Sequence, residues 1–119
     1  MNRPNFSVHY KLSFWTLVLV TLWLSLVPVD QLPSELHFWD KAQHALGFAA
    51  LAFLGLLAYP GRTLSLLVGL VLFGAGIECA QALSGWRQGD LLDWLADIVG
   101  LLIGSLTLYA VRMLWKMRD

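Results

Sequence analysis

Four long apolar runs fill most of this 119-residue chain, at residues 12–29, 42–59, 63–83 and 91–111. Each is close to the roughly 17–25 residues that an α-helix needs to span a bilayer. Backbone polar groups in hydrocarbon must be satisfied within the structure, which confines spanning segments to helices and closed barrels. Runs of this length without strict alternation read as helices. The expected fold is therefore all-α: a polytopic integral membrane protein of four transmembrane helices, in one domain, with connections too short for a soluble one. Charged residues make up 13% of the chain, about half of what soluble domains carry, which disfavours the competing reading as a greasy soluble bundle.

The formal net charge of zero hides an asymmetry. With the N-terminus inside, Arg3, Lys11, Arg62, Arg112, Lys116 and Arg118 fall on the inner side, and only Lys41 and Arg87 fall outside. That bias follows the positive-inside rule and gives an N-in/C-in topology. Basic residues precede the first run as they would in a signal peptide. The region around Val27-Pro28-Val29 has no small-x-small cleavage site, so an uncleaved first span is expected. Cys79, the single cysteine, excludes an intramolecular disulfide and reads as a small packing residue. The few basic residues sit at inner anchor positions and offer nothing to a nucleic acid.

Taken in order, the first fourteen residues read as a cytoplasmic lead-in. The first span carries no charge and reads as a wall of the bundle, its Ser and Thr hydroxyls bonding back to their own helix. Pro28 and Pro33 mark an external connection. Ser34 and Glu35 then open either a short interfacial turn, with Leu36, Phe38 and Trp39 toward lipid, or an ordinary loop; His37 is exposed in both. Asp40 suits a helix cap, and His44 lies one turn deeper on the same face. Gly47, Ala49, Ala52 and Gly55 offer small surfaces for close packing. Tyr59-Pro60-Gly61-Arg62 reads as a tight turn. In the third run Glu78 lies about two turns from the outer end, with Gly74 and Gln81 on its face.

The fourth run carries a stripe. Asp93, Asp97, Gly100 and Gly104 are spaced four, three and four apart, and so share one helix face. A carboxylate turned to lipid is costly, so this face should meet protein, water or a ligand, while the glycines admit another helix. Asp40-x3-His44-x2-Gly47 repeats the spacing of Asp93-x3-Asp97-x2-Gly100, which suggests a pairing of the second and fourth helices.

Asp40, Lys41, His44, Glu78, Gln81, Arg87, Asp90, Asp93 and Asp97 all fall on the outer side in this topology. Two chemistries fit. His44 with Glu78, Asp93 and Asp97 could ligate a divalent metal, with His44, Glu78 and Asp93 the foremost ligands, leaving an open position for phosphate or water. Alternatively, crowded carboxylates could raise one another's pKa and supply a general acid or base without metal. Arg87 would pair with Asp90 or Asp93, or with Lys41 hold an anionic headgroup. The plain reading is a buried polar network that locks the helices together.

Together these residues resemble the VanZ-like family of small bacterial membrane proteins. The resemblance rests on Asp40-Lys41-x2-His44-x3-Phe48, then Glu78-x2-Gln81, then Arg87-x5-Asp93-x3-Asp97-x2-Gly100-x3-Gly104, covering most of the chain from residue 40 onward. At Asp97 the family more commonly has asparagine, which does not ionise, so the resemblance puts the central acids at Glu78 and Asp93. It implies a multi-pass protein of the bacterial inner membrane and a link to the cell envelope, since the family takes its name from an accessory protein of glycopeptide antibiotic resistance. The expected function is binding, or modification, of a membrane lipid or a phosphorylated or glycopeptide-related headgroup. The alternatives are a non-enzymatic accessory protein and a small proton-coupled exporter working as a homo-oligomer.

Overall fold

A computed structural model describes residues 6–36 and 40–119, and within them the side chains of Leu36 and Asp40 are not described. The expectations for His37, Phe38 and Trp39, and for the side chain of Asp40 as cap and site residue, lie outside the described residues. The described chain is all-helical: α1 (Phe6–Leu26), two 3₁₀ turns (Val29–Gln31 and Ser34–Leu36), α2 (Asp40–Ala58), α3 (Thr63–Ser84) and α4 (Leu91–Arg118). Among the described residues three helices are long and apolar enough to cross a membrane, at Lys41–Ala58, Thr63–Ser84 and Leu91–Arg118.

The helix ends follow local chemistry. α1 begins at Phe6, inside the expected lead-in, because residues 6–11 contain no Gly or Pro and Tyr10 packs on the core. It stops at Leu26 rather than running to residue 29, because Pro28 has no N–H and disfavours helical geometry at the residue before it. The 59–62 turn forms as expected: Arg62 N–H donates to the Tyr59 carbonyl at 3.2 Å across Pro60 and Gly61. Gly61 supplies the positive φ of 82° that a type II turn requires. Gly85 closes α3 in the left-handed conformation. α4 meets no breaker after residue 111 and continues to Arg118.

α2 is the central helix. It packs most extensively on α4 and also touches α1 and α3, whereas α1 meets α2 and α3 but not α4. The α2–α4 contact is close for a visible reason. A Cβ at Gly100 would overlap the backbone carbonyl of Ala45, and one at Gly104 the carbonyl of Ala49. Two small residues one turn apart on each helix thus bring the backbones together, the small-xxx-small mode of membrane helices. Gly47 differs from its expected packing role, since a Cβ there would meet nothing within 4 Å. Phe14, Phe48, Leu51, Leu70, Ile77 and Leu101 fill the core between the helices. Large apolar side chains such as Leu46, Leu64, Leu72, Leu83, Leu102 and Leu106 point outward, an arrangement suited to a lipid solvent.

Candidate functional site

The helix polarity gathers four segments at one end of the bundle: the last turn of α1, the first turns of α2 and α4, and the last turns of α3 with the loop that follows. His44 stands at the centre. Its Nδ1 lies 2.8 Å from Asp97 Oδ1 and 3.9 Å from Glu78 Oε1. Its Nε2 lies 3.8 Å from Asp93 Oδ2. One imidazole is thus bracketed by three buried carboxylates from two helices. The two repeated motifs meet here, because His44 and Asp97 hold matching positions in them. Gly74 makes room for the meeting: a Cβ there would lie 2.8 Å from Asp97 Oδ2.

Helix-end chemistry positions the acids. Asp90 caps α4, its side chain accepting from Leu92 N–H at 2.9 Å. Asp90 N–H in turn donates to Glu78 Oε2 at 2.8 Å, which ties α3 to the start of α4. The positive end of the α4 dipole favours carboxylates there. Asp90 lies outside the three spans, and its carboxyl is held below the usual aspartate value, mainly by the bond from Leu92 N–H and further by Lys41. Glu78 Oε1, by contrast, is buried without a hydrogen-bond partner.

Lys41 and Arg87 are both engaged within the protein. Lys41 Nζ lies 3.2 Å from Asp93 Oδ1 and 3.4 Å from Asp90 Oδ2, so its charge is used within the protein. Arg87 does not pair with Asp90 or Asp93. Its Nη1 donates to the carbonyls of Val27 (2.8 Å) and Leu24 (3.3 Å). Gln81 Nε2 donates to Ser25 O at 2.8 Å, and Trp86 Nε1 to Leu26 O at 2.7 Å. The carbonyls of residues 24–27, which the last turn of a helix leaves unsatisfied, are therefore all capped by side chains of α3 and its following loop. Arg87, expected to pair with Asp90 or Asp93 or to hold an anion, and Gln81, expected at the site, are used in this seal in the structure, because a helix end in an apolar setting needs donors.

The sequence reading missed the approach to the centre. A cleft of about 170 Å³ lies between α1 and α2, lined by Leu17, Val20, Leu24 and Phe48 and by the polar Thr21, Ser25, Gln43, His44 and Arg87. Gly47 lines it too, which is why a Cβ at that position meets open space. The lack of charge in the first run made α1 look like a plain wall, and Ser25 does bond back to Thr21 O at 2.6 Å. Two hydroxyl residues four apart near the end of an apolar helix are the signal that marked its cleft-facing side.

Chemically, the imidazole can exchange a proton with Asp97 across the 2.8 Å contact at Nδ1, and one nitrogen with two carboxylate oxygens can hold a cation. His44, Glu78 and Asp97 each offer a ligand atom within 4.8 Å of the others. Asp93, expected in that set, instead faces the other side of the ring and Lys41. No family model matches the chain, and comparison with curated proteins and with solved structures likewise found no match.

Proposed function

We propose that this chain is a VanZ-like protein of the bacterial inner membrane that binds an amphipathic envelope lipid at its outer face. In this reading α1 is a fourth span and both termini lie inside. The apolar part of the ligand occupies the α1–α2 cleft, and its head reaches His44. The observation that carries the reading is the cleft itself: apolar side chains along α1 and α2 lead to a half-buried histidine beside buried carboxylates. A site for headgroups in membrane proteins needs this combination of a greasy approach and a few convergent polar groups. Intramembrane ionisable residues of this density mark functional sites by default. Because Lys41 and Arg87 are engaged, a phosphorylated or glycopeptide-related head would be recognised through His44 and the cleft hydroxyls rather than by a guanidinium clamp. His44, with acids on both ring nitrogens, is the group able to move a proton to or from such a head.

Gly47→Leu tests this. The position admits a side chain without a backbone clash, and the side chain would fill the cleft. Native mass spectrometry of the protein released from its own membrane should show an amphiphile on the wild type and none on the variant. Identical lipid masses on both would overturn the reading. A second reading, a non-enzymatic accessory protein, draws on the seal over α1: Gln81, Trp86 and Arg87 hold helices and contact no carboxylate. Under that reading His44→Gln leaves cellular function intact; under the first it abolishes it.

A further inference from the structure

We propose that His44, Glu78 and Asp97 form a site for a single divalent cation. The centre is the one described above, and only its open side, toward the cleft, rests on the lipid-binding reading. Four-coordinate nitrogen and oxygen ligands at about 2.1 Å from a metal stand about 3.4 Å from one another. The distances from His44 Nδ1, 2.8 Å to Asp97 Oδ1 and 3.9 Å to Glu78 Oε1, bracket that value. All three ligand atoms lie within 4.8 Å of one another, so small side-chain shifts close the set.

The independent sign of a ligand is Glu78. The residue is only 9% exposed, and its Oε1 has no hydrogen-bond partner. It cannot simply turn away, because Oε2 is held by Asp90 N–H. A buried acceptor of this kind calls for a cation or a proton. Among the described residues no fixed charge supplies one, since Lys41 is spent on Asp93 and Asp90, and Arg87 on the α1 carbonyls. A divalent ion would balance the charges of Glu78 and Asp97 together.

The surroundings fit the same ion. Asp93 faces the opposite ring nitrogen at 3.8 Å and is itself held by Lys41, so a small approach would give the outer-shell hydrogen bond that orients a metal-bound histidine. One imidazole with two carboxylates suits zinc or manganese better than the all-oxygen coordination of calcium. Of the three ligands His44 lines the cleft, so a lipid head or water entering there would complete the set.

The test uses the full chain in detergent, without a polyhistidine tag, stripped by chelator and titrated with Co²⁺ and then Zn²⁺. One equivalent of Co²⁺ should give the intense visible bands of a four-coordinate site and should be displaced by Zn²⁺. Glu78→Gln should weaken binding by about a hundredfold or more, and Asp93→Asn by about 10–100-fold. Glu35→Gln, an exposed acid, should change nothing. A wild type that takes up no stoichiometric cobalt, or shows only the weak bands of the hydrated ion, overturns the site, as does a folded Glu78→Gln variant that binds normally. If Glu78→Gln does not assemble, the wild-type spectrum decides alone. Gly47→Leu separates the two proposals: it should keep the cobalt spectrum while losing the amphiphile. A wild type that binds cobalt but carries no amphiphile removes the lipid and leaves the metal.

Discussion

Gly100→Ala makes the sharpest test of how α2 and α4 build this centre, because two effects of known size oppose each other. In a helix interior, alanine is better than glycine by about 0.5–1 kcal/mol, from backbone entropy alone. Gly69 and Gly76 of α3 show that effect unopposed, since a Cβ at either meets nothing within 4 Å. At Gly100 the new carbon would overlap the Ala45 carbonyl oxygen and lie 2.9 Å from its carbon and 3.0 Å from its Cα. These are backbone atoms and cannot rotate away, so the helices must separate by about an ångström. Overpacking of this kind costs about 1–3 kcal/mol, and a gap of that width forfeits a quarter to a half of each dispersion contact along the seam. The net expectation is a loss of about 1–2 kcal/mol for Gly100→Ala, the same for Gly104→Ala against Ala49, and a gain of about 0.5–1 kcal/mol for Gly76→Ala. Unfolding in mixed micelles with rising dodecyl sulfate, followed by circular dichroism, reads all three on one scale. If Gly100→Ala and Gly104→Ala unfold as late as Gly76→Ala, the close α2–α4 seam is refuted. The seam also sets the site: Ala45 adjoins His44, and Gly100 lies one turn from Asp97, so separation would stretch their 2.8 Å contact.

Other outcomes follow from the helix ends. Arg87→Met should unseal the end of α1, because one guanidinium nitrogen serves both Leu24 and Val27 and methionine offers no donor; leaving part-buried carbonyls bare costs up to about 1–3 kcal/mol, and hydrogen exchange should rise in the last turn of α1 rather than across the bundle. A uniform rise, or none, would refute the seal. Asp90 gives a pH signature. Its folded-state value lies below the ordinary 3.8, so its stabilising contribution is fully present above that value and is lost as pH falls through the lowered one. Wild type should therefore lose its advantage over Asp90→Asn on that acid limb, and parallel stability curves for the two proteins would contradict the cap.

What sequence alone determined here is what depends on one helix at a time. Hydrophobic runs and breakers placed α2, α3 and α4, and the Pro60-Gly61 turn. The four-three-four spacing put Asp93, Asp97, Gly100 and Gly104 on one face, and that face does meet α2. Matching motifs around His44 and Asp97 pointed to the pairing of α2 with α4, to which α3 adds Glu78. Partners were another matter. A residue's face follows from its own helix, but whether Arg87 finds a carboxylate or a bare carbonyl depends on where α1 ends in space. Gly47 and Gly100 have the same local pattern, yet one opens a cleft and the other seals a seam, because α1 and α4 approach α2 at different distances. Likewise Asp97 rather than Asp93 joins His44 and Glu78, since the packing of α4 on α2 and α3 carries Asp97 to their shared interior and leaves Asp93 beside Lys41. Tertiary structure decided these pairings, because side-chain distances across helices depend on the rotation and approach of whole helices, which no periodicity within one segment encodes.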